Sequence, residues 1–302
     1  MQTLNQDIKT GEFKQIYLLY GEEAFLKNSY KNRLKEAIIG DDTMNFARFE
    51  GKGLDVDELI RLADTMPFFA ERRLILVEDS GFFKSASDAL VQYLPSMPDT
   101  TILLFVETEV DKRNRLYKKV KDMGYAAELN RQDSAQLARW AGGILTREQK
   151  KITKHTMELF LSMAGDDMEN IRMELEKLIS YTLGREVITD EDVLAVCTVQ
   201  VTNRIFEMVS AIVNRQPRKA MDLYEDLLTL KEPPMRILFL IARQFNQLLQ
   251  VKDLMGKGMD KGTIASKLKM QPFVVGKTMP QARQFGREQI LSYVEFCVET
   301  EE

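Results

Sequence analysis

One histidine, His155, and two cysteines, Cys197 and Cys297, are the only imidazole and thiol groups in 302 residues. With the cysteines far apart and a single imidazole, zinc, haem and iron–sulfur centres are excluded. Two thiols suit a reducing compartment. His155 follows Lys150-Lys151-Ile152-Thr153-Lys154 with no nucleophile motif nearby. It reads as a surface residue, because a catalytic imidazole needs an orienting partner and a cleft. Glycine (16) and proline (8) are sparse, and no apolar run approaches the ~20 residues a membrane helix requires. The segment from Met1 to Glu12 lacks the basic start and apolar core of a secretory signal, so a cytoplasmic location is expected. A net charge of −4 and a pI near 5.5 leave no broad basic footprint of a free-standing nucleic-acid binder.

What is present is ordinary globular material, 44% hydrophobic and 29% charged, enough for a core divided over two or three domains. The first ~140 residues alternate β-branched runs with amphipathic segments, the pattern of a parallel sheet covered by helices. Strands are expected at Ile16–Tyr20, Asn45–Phe49, Leu74–Glu78, Thr101–Glu107 and Tyr125–Leu129, and helices at Ala24–Ile39, Val56–Met66, Ser85–Leu94 and Arg113–Met123. Ile102-Leu103-Leu104-Phe105-Val106 has no polar alternation and reads as a central strand buried on both faces. Asp55 with Glu58 predicts a capping box, and Gly124 a helix stop.

Beyond Asp133 the β signal gives way to helical periodicity, and the remainder is expected to be all-helical. Gly142-Gly143, Gly165-Asp166-Asp167, Gly184 to Asp190 and Pro233-Pro234 punctuate it, with Thr189 an N-cap and Asp192 at the third position of its helix. Ile205, Phe206, Val209, Ile212 and Val213 form one apolar stripe, and Ala220, Leu223, Tyr224, Leu227 and Leu228 another, as in a helix bundle. The paired acids Asp166 with Asp167, and Asp190 to Asp192, stand at helix starts and read as caps rather than hydrolytic carboxylates.

An α/β domain followed by helical ones directs attention to the turn after the first strand, Gly21-Glu22-Glu23-Ala24-Phe25-Leu26-Lys27-Asn28. A phosphate loop needs a second glycine for close backbone approach and a hydroxyl for magnesium. Gly21 and Lys27 have the right spacing, but Leu26 replaces that glycine, Asn28 replaces the hydroxyl, and Glu22 and Glu23 would repel a triphosphate. No nucleotide or metal cofactor is therefore expected. The run Leu74-Ile75-Leu76-Val77-Glu78-Asp79 ends in acids, as do strands that hold magnesium in nucleotide hydrolases; without a phosphate cradle it reads as a buried strand with exposed acids capping the next loop.

Met66-Pro67-Phe68-Phe69-Ala70 precedes Glu71-Arg72-Arg73 and the third strand. The preceding helix already has its inward face at Val56, Leu59, Ile60 and Ala63, and adjacent residues of an extended turn point in different directions, so one aromatic is expected to be exposed. Pro67 ends the helix and stiffens the turn. Two readings remain open: a wedge for a partner's apolar pocket, or a hydrophobic cap folded over the sheet edge.

The chain resembles the delta subunit of the bacterial DNA polymerase III clamp loader. The resemblance is carried by Ile16-Tyr17-Leu18-Leu19-Tyr20-Gly21-Glu22-Glu23 and by Met66-Pro67-Phe68-Phe69 with Arg72-Arg73-Leu74-Ile75. It continues in Gly165-Asp166-Asp167-Met168-Glu169-Asn170-Ile171 with Glu174-Leu175-Glu176-Lys177-Leu178, in Ile188-Thr189-Asp190-Glu191-Asp192-Val193, and in Ile237-Leu238 with Ala242-Arg243-Gln244-Phe245. The order and spacing of these stretches cover nearly the whole chain. The resemblance implies a degenerate AAA+ α/β domain over residues 1–142, a small all-α lid over 143–211 and an all-α collar over 212–302, shortened at its C-terminus relative to the family. It implies a protein that is monomeric alone. In the cell it would join gamma/tau ATPase subunits and delta-prime in a five-subunit loader, bind the beta sliding clamp and open the ring for loading onto primed DNA. The family's clamp-binding turn matches Met66, Phe68 and Phe69, with Pro67 between. No catalysis of its own is implied; the nucleotidyltransferase activity resides in other subunits of the DNA polymerase holoenzyme.

For DNA, Phe273-Val274-Val275-Gly276-Lys277 with Arg283 and Arg287 mixes basic and aromatic residues, to be read either as a template contact or as a solvated helical face; the same choice holds for Lys112, Arg113, Arg115, Lys118 and Lys119. Two other functions compete: an ATPase with a variant phosphate loop, which predicts stabilisation by magnesium-ATP, and a helical adaptor of another assembly, indifferent to the clamp.

Overall fold

The apolar runs of the first 130 residues assemble into a five-stranded parallel sheet in the order β2-β3-β4-β1-β5, with β1 Ile16–Tyr20, β2 Phe46–Glu50, β3 Arg73–Glu78, β4 Thr101–Glu107 and β5 Tyr125–Glu128. This computed structural model describes residues 1–85, 87–197, 201–268, 270 and 272–301, without the side chains of 201–203, 213, 272, 273 and 301. By its contacts the chain divides into two compact units, Met1–Arg131 and Gln132–Glu302.

In the first unit β4 lies between β3 and β1 with every residue buried, as its uninterrupted apolar sequence requires. The crossovers are α2 Ala24–Ile39 after β1, α3 Val56–Ala63 after β2, α4 Asp88–Tyr93 after β3 and α5 Arg115–Met123 after β4, and α1 Gln2–Thr10 precedes the sheet. Ile16, Leu18, Ile75, Val77, Leu103 and Phe105 project from one face of the sheet onto Leu59 and Ala63 of α3, Leu90 of α4, and Leu116 and Val120 of α5. Phe83 stacks edge-on against Phe105 at 5.2 Å.

Several local expectations are corrected. The helix expected to reach Met66 stops at Ala63, whose carbonyl accepts a hydrogen bond from Thr101 Oγ1 at 2.7 Å; Met66, before proline, is disfavoured in the helical region. Asp55 caps α3 through the Asp57 N–H at 2.9 Å, a one-sided cap in place of the box with Glu58. The helix expected from Ser85 starts at Asp88 and tightens into a 3₁₀ turn at Leu94–Ser96, and α5 starts at Arg115 because Asn114 caps it through the Leu116 N–H. Gly124 ends α5, as expected.

The second unit starts with α6 Ser134–Arg147, α7 Lys154–Ala164, α8 Met168–Tyr181 and α9 Asp190–Val196. The Gly142-Gly143 pair does not break the chain but lies inside α6, which an Asp133/Gln136 capping box starts and buried Leu137, Ala141 and Leu145 hold. Three anchored apolar residues outweigh roughly 1 kcal/mol of helix propensity per glycine. The region is not purely helical either: β6 Lys151–Ile152 and β7 Val187–Ile188 form a short parallel pair. Thr189 and Asp192 make the expected N-terminal cap of α9, and Asp167 caps α8 through the Asn170 N–H at 2.8 Å. His155 is exposed, 3.2 Å from the Asp190 carboxylate.

The bundle that follows comprises α10 Val201–Val213, α11 Pro217–Thr229, α12 Pro234–Gly256, α13 Lys261–Leu268, α14 Pro272–Gln284 and α15 Arg287–Glu301. Its core includes Ile205, Val209, Leu227, Ile237, Leu248, Val251 and Ile290, with Phe245, Phe285 and Tyr293 packed ring to ring. The expected stripes supply part of this core, while Ile212 and Leu228 are exposed and the Val213 side chain lies outside the described residues.

Candidate functional site

The turn after β1 occupies the place where open parallel sheets bind ligands, at the carboxyl ends of the strands. Here it is closed. Gly21 has φ +121°, and a β-carbon built on it would lie 2.4 Å from the Leu129 carbonyl oxygen, so the glycine serves close approach to the chain after β5. The Glu23 N–H donates to that same carbonyl at 2.9 Å, and the Glu23 carboxylate accepts from the Phe25 N–H at 3.1 Å. A side-chain anion thus sits where a phosphate loop would offer its amides. Leu26 and Lys27 are buried, and Lys27 Nζ donates to the Glu107 carbonyl at 3.3 Å. Burial pushes the Lys27 amine down, opposed by Asp79, Glu107 and Glu23. Glu22 is exposed, 4.0 Å from Arg131, and Asn28 is the second residue after Leu26 on α2.

The acids at the strand ends are engaged with protein groups. Glu78 is buried rather than exposed, because Lys31 at 2.8 Å and Arg48 at 2.6 Å draw its carboxylate inward. Burial raises its carboxyl, but the two cations outweigh burial and hold it below the usual range. The loop cap comes instead from Glu107 of β4, which accepts from Ser80 N–H at 3.0 Å and from the Ser80 hydroxyl. Burial pushes the Glu107 carboxyl up.

The apolar turn between α3 and β3 presents the opposite character. Met66, Phe68 and Phe69 are 70%, 57% and 96% exposed, while Pro67 is half-buried. The expectation that one ring faces outward is corrected, since both do. Phe69 adopts a left-handed backbone, φ +50°, which brings its ring edge-on to Phe68 with centroids 4.6 Å apart instead of sending it to the other side. With both rings exposed, the pair does not form a hydrophobic cap over the sheet edge.

The backbone beneath the rings is held. The Phe68 N–H donates to Asn45 Oδ1 at 2.7 Å, and Asn45 Nδ2 donates to the Phe68 carbonyl at 2.9 Å. Asp42 accepts from Asn45 Nδ2 at 2.6 Å and from the Met44 N–H at 2.8 Å. These bonds, the one from the Asn45 side chain foremost, hold the Asp42 carboxyl below its usual range. Arg73 Nη2 donates to the Met66 carbonyl at 3.3 Å, and Arg72 reaches the Gly11 carbonyl at 3.2 Å. Sequence reasoning missed Asp42 and Asn45. Their i, i+3 spacing marks a turn before β2, but Phe68 lies 23 positions beyond Asn45 and no local pattern connects them.

Several of the basic positions are engaged with protein groups. Arg287 pairs with Asp253 at 3.1 Å, Lys277 Nζ lies 6.0 Å from the centre of the Phe206 ring, and Arg283 is exposed. The Phe273 side chain lies outside the described residues. Lys112, Arg113 and Arg115 pair with Glu128, Asp111 and Asp88. Among the described residues no group of three or more His, Cys, Asp or Glu side chains is placed to hold a metal ion, and no helix is long and apolar enough to cross a membrane.

Residues 17–129 match the family described as DNA polymerase III, delta subunit, and residues 202–302 match the C-terminal domain of the same subunit. DNA polymerase III subunit delta of Bacillus subtilis is 30% identical over 96% of this chain and 87% of its own length. The probable DNA polymerase III subunit delta of Aquifex aeolicus is 20% identical over 82% and 73%. The solved structure of the Bacillus subtilis DNA clamp loader delta protein superposes with a TM-score of 0.77 at 28% identity, covering 98% of this chain and 91% of that one. In sequence over nearly its whole length and in fold, the chain belongs to the DNA polymerase III delta-subunit family, the clamp-loader delta proteins of DNA replication.

Proposed function

We propose that this chain is the clamp-opening subunit of its loader. The Met66-Pro67-Phe68-Phe69 turn seats in an apolar pocket of the beta sliding clamp, and tighter binding to the open ring than to the closed one opens a subunit interface. The observation that carries this reading is a pair of exposed phenylalanine rings mounted on a backbone that is hydrogen-bonded into the fold. Seating a Met and a Phe contributes on the order of 1.5–3 kcal/mol each, less the cost of association. Only the difference between affinities for the two ring states moves the equilibrium.

Hydrolysis of ATP falls to other subunits in this reading, gamma/tau, which with delta-prime complete a five-subunit loader. The closed Gly21 turn and the engagement of Lys27 with Glu107 support that division of labour. A lid over residues 143–211 and a collar over 212–302 would connect the clamp-binding domain to the ring. Primed DNA is met through the assembled complex, with Lys277, Arg283 and Arg287 the basic positions offered to it.

The test is binding of the full chain to the beta sliding clamp of the same organism without nucleotide, beside a folded Met66→Ala/Phe68→Ala/Phe69→Ala variant. Tight binding that the variant loses is the expected result. A wild-type chain indifferent to the clamp would overturn the proposal and favour an adaptor role.

A further inference from the structure

We propose that Asn45 is a positioning residue that presents the apolar turn in its binding-ready form, an inference that rests on the reading of that turn as the clamp-binding element. The Asn45 side chain is fully buried. Oδ1 accepts from the Phe68 N–H at 2.7 Å, and Nδ2 donates to the Phe68 carbonyl at 2.9 Å and to Asp42 Oδ2 at 2.6 Å. Its main chain is occupied as well: the N–H donates to Asp42 Oδ1 at 3.2 Å, and the carbonyl accepts from Leu74 N–H at 2.9 Å.

One side chain therefore takes both backbone polar groups of Phe68, as a neighbouring strand would. It does so from the residue immediately before β2, while its carbonyl is bonded to β3, so the turn is referenced to the rigid sheet. The acceptor-only Asp42 carboxylate requires the NH₂ end of the amide beside it, which leaves Oδ1 for the Phe68 N–H and fixes the amide orientation. Asp at position 45 has no donor, Gln is a methylene too long, Ser has one donor where the Phe68 carbonyl and Asp42 need two, and Ala has none. Arg73 ties the Met66 shoulder of the turn at 3.3 Å. With Phe68 fixed and Phe69 in its left-handed conformation against it, both rings are ordered before a partner arrives, and less conformational entropy is lost on association.

The experiment measures association and dissociation of wild type, Asn45→Ala, Asn45→Asp, Asp42→Asn and Phe68→Ala/Phe69→Ala on the immobilised beta sliding clamp of the same organism. Amide exchange over residues 66–72 and over β3 is followed in the free chains. Both Asn45 variants are expected to weaken binding about ten-fold, as the ordering cost returns to the binding step, with faster exchange at 66–72 and unchanged protection in β3. Asp42→Asn, which keeps the side-chain volume, is expected to weaken binding about three-fold, and it decides the matter should the Asn45 variants not fold. If the double phenylalanine variant loses binding while the Asn45 and Asp42 variants bind as wild type, the positioning role is overturned and the clamp-binding turn stands. Exchange rising equally in β3, with Asp42→Asn binding normally, would reduce Asn45 to a structural residue. Should the double phenylalanine variant bind as wild type, the clamp-binding reading fails and this inference with it.

Discussion

Replacing Phe69 by glycine should separate stability from function. The residue is 96% exposed with φ +50°, a backbone region that costs a bulky side chain roughly 1–2 kcal/mol. Glycine removes that strain but adds roughly 0.5–1 kcal/mol of chain entropy on folding, and the lost edge-on contact with Phe68 is solvent-exposed and small. The net change lies between zero and about 1.5 kcal/mol of stabilisation, which at roughly 2.1 cal/mol/K of unfolding entropy per residue raises the melting temperature of a 302-residue chain by at most about 2–3 °C. If Phe69 seats in the clamp as proposed, removing its ring forfeits about 1.5–3 kcal/mol, a ten- to hundred-fold weaker Kd. Phe69→Ala keeps the strain and loses the ring, so it should bind as poorly as Phe69→Gly while melting lower by the equivalent of about 1 kcal/mol. Thermal unfolding and clamp binding of the three chains provide the assay. A melting temperature that drops by many degrees in Phe69→Gly would mean that the ring is packed within the fold. Unchanged clamp affinity would mean that it anchors nothing.

The glycines inside α6 offer a second check: a β-carbon at Gly142 or Gly143 meets nothing within 4 Å, so alanine at either position should stabilise the chain by about 0.5–1 kcal/mol, read as a higher unfolding midpoint. A third concerns acid. Because Lys31 and Arg48 hold the Glu78 carboxyl below its ordinary value of 4.5, its stabilising contribution is complete above that pH and is lost as pH falls through the lowered value. Urea titrations of wild type and Glu78→Gln should therefore differ by a constant amount at neutral pH, with wild type the more stable, and converge in acid; a gap that persists at low pH would exclude the ion pairs as its cause.

Much of this protein is legible in the chain itself, for reasons that can be named residue by residue. Uninterrupted apolar runs such as Ile16–Tyr20 and Ile102-Leu103-Leu104-Phe105-Val106 have no polar face to offer water, so a doubly covered parallel sheet is their stable arrangement. Thr189 with Asp192 acts over one helical turn, which is why that cap reads correctly; Gly124 ends α5 where expected, but what requires glycine there is the close approach of Ile16, whose carbonyl oxygen would lie 2.1 Å from a β-carbon. The lost glycine and hydroxyl at Leu26 and Asn28, and the acids Glu22 and Glu23, are matters of composition within a single turn and need no fold to interpret.

Local pattern failed where long-range partners decide the outcome. Thr101 takes the Ala63 carbonyl and α3 stops; buried Leu137, Ala141 and Leu145 carry α6 through two glycines; Lys31 and Arg48 draw Glu78 inward. The apolar turn shows the division most clearly. Its residue types and the proline that frames them are properties of the sequence, because hydrophobicity and ring closure are intrinsic to each side chain. That both rings face solvent together depends on Asn45, 23 positions away, gripping the Phe68 backbone, and on the left-handed backbone of Phe69. Hydrogen bonds between residues remote in sequence exist only after the chain has folded, so only the tertiary structure could decide how that turn is presented.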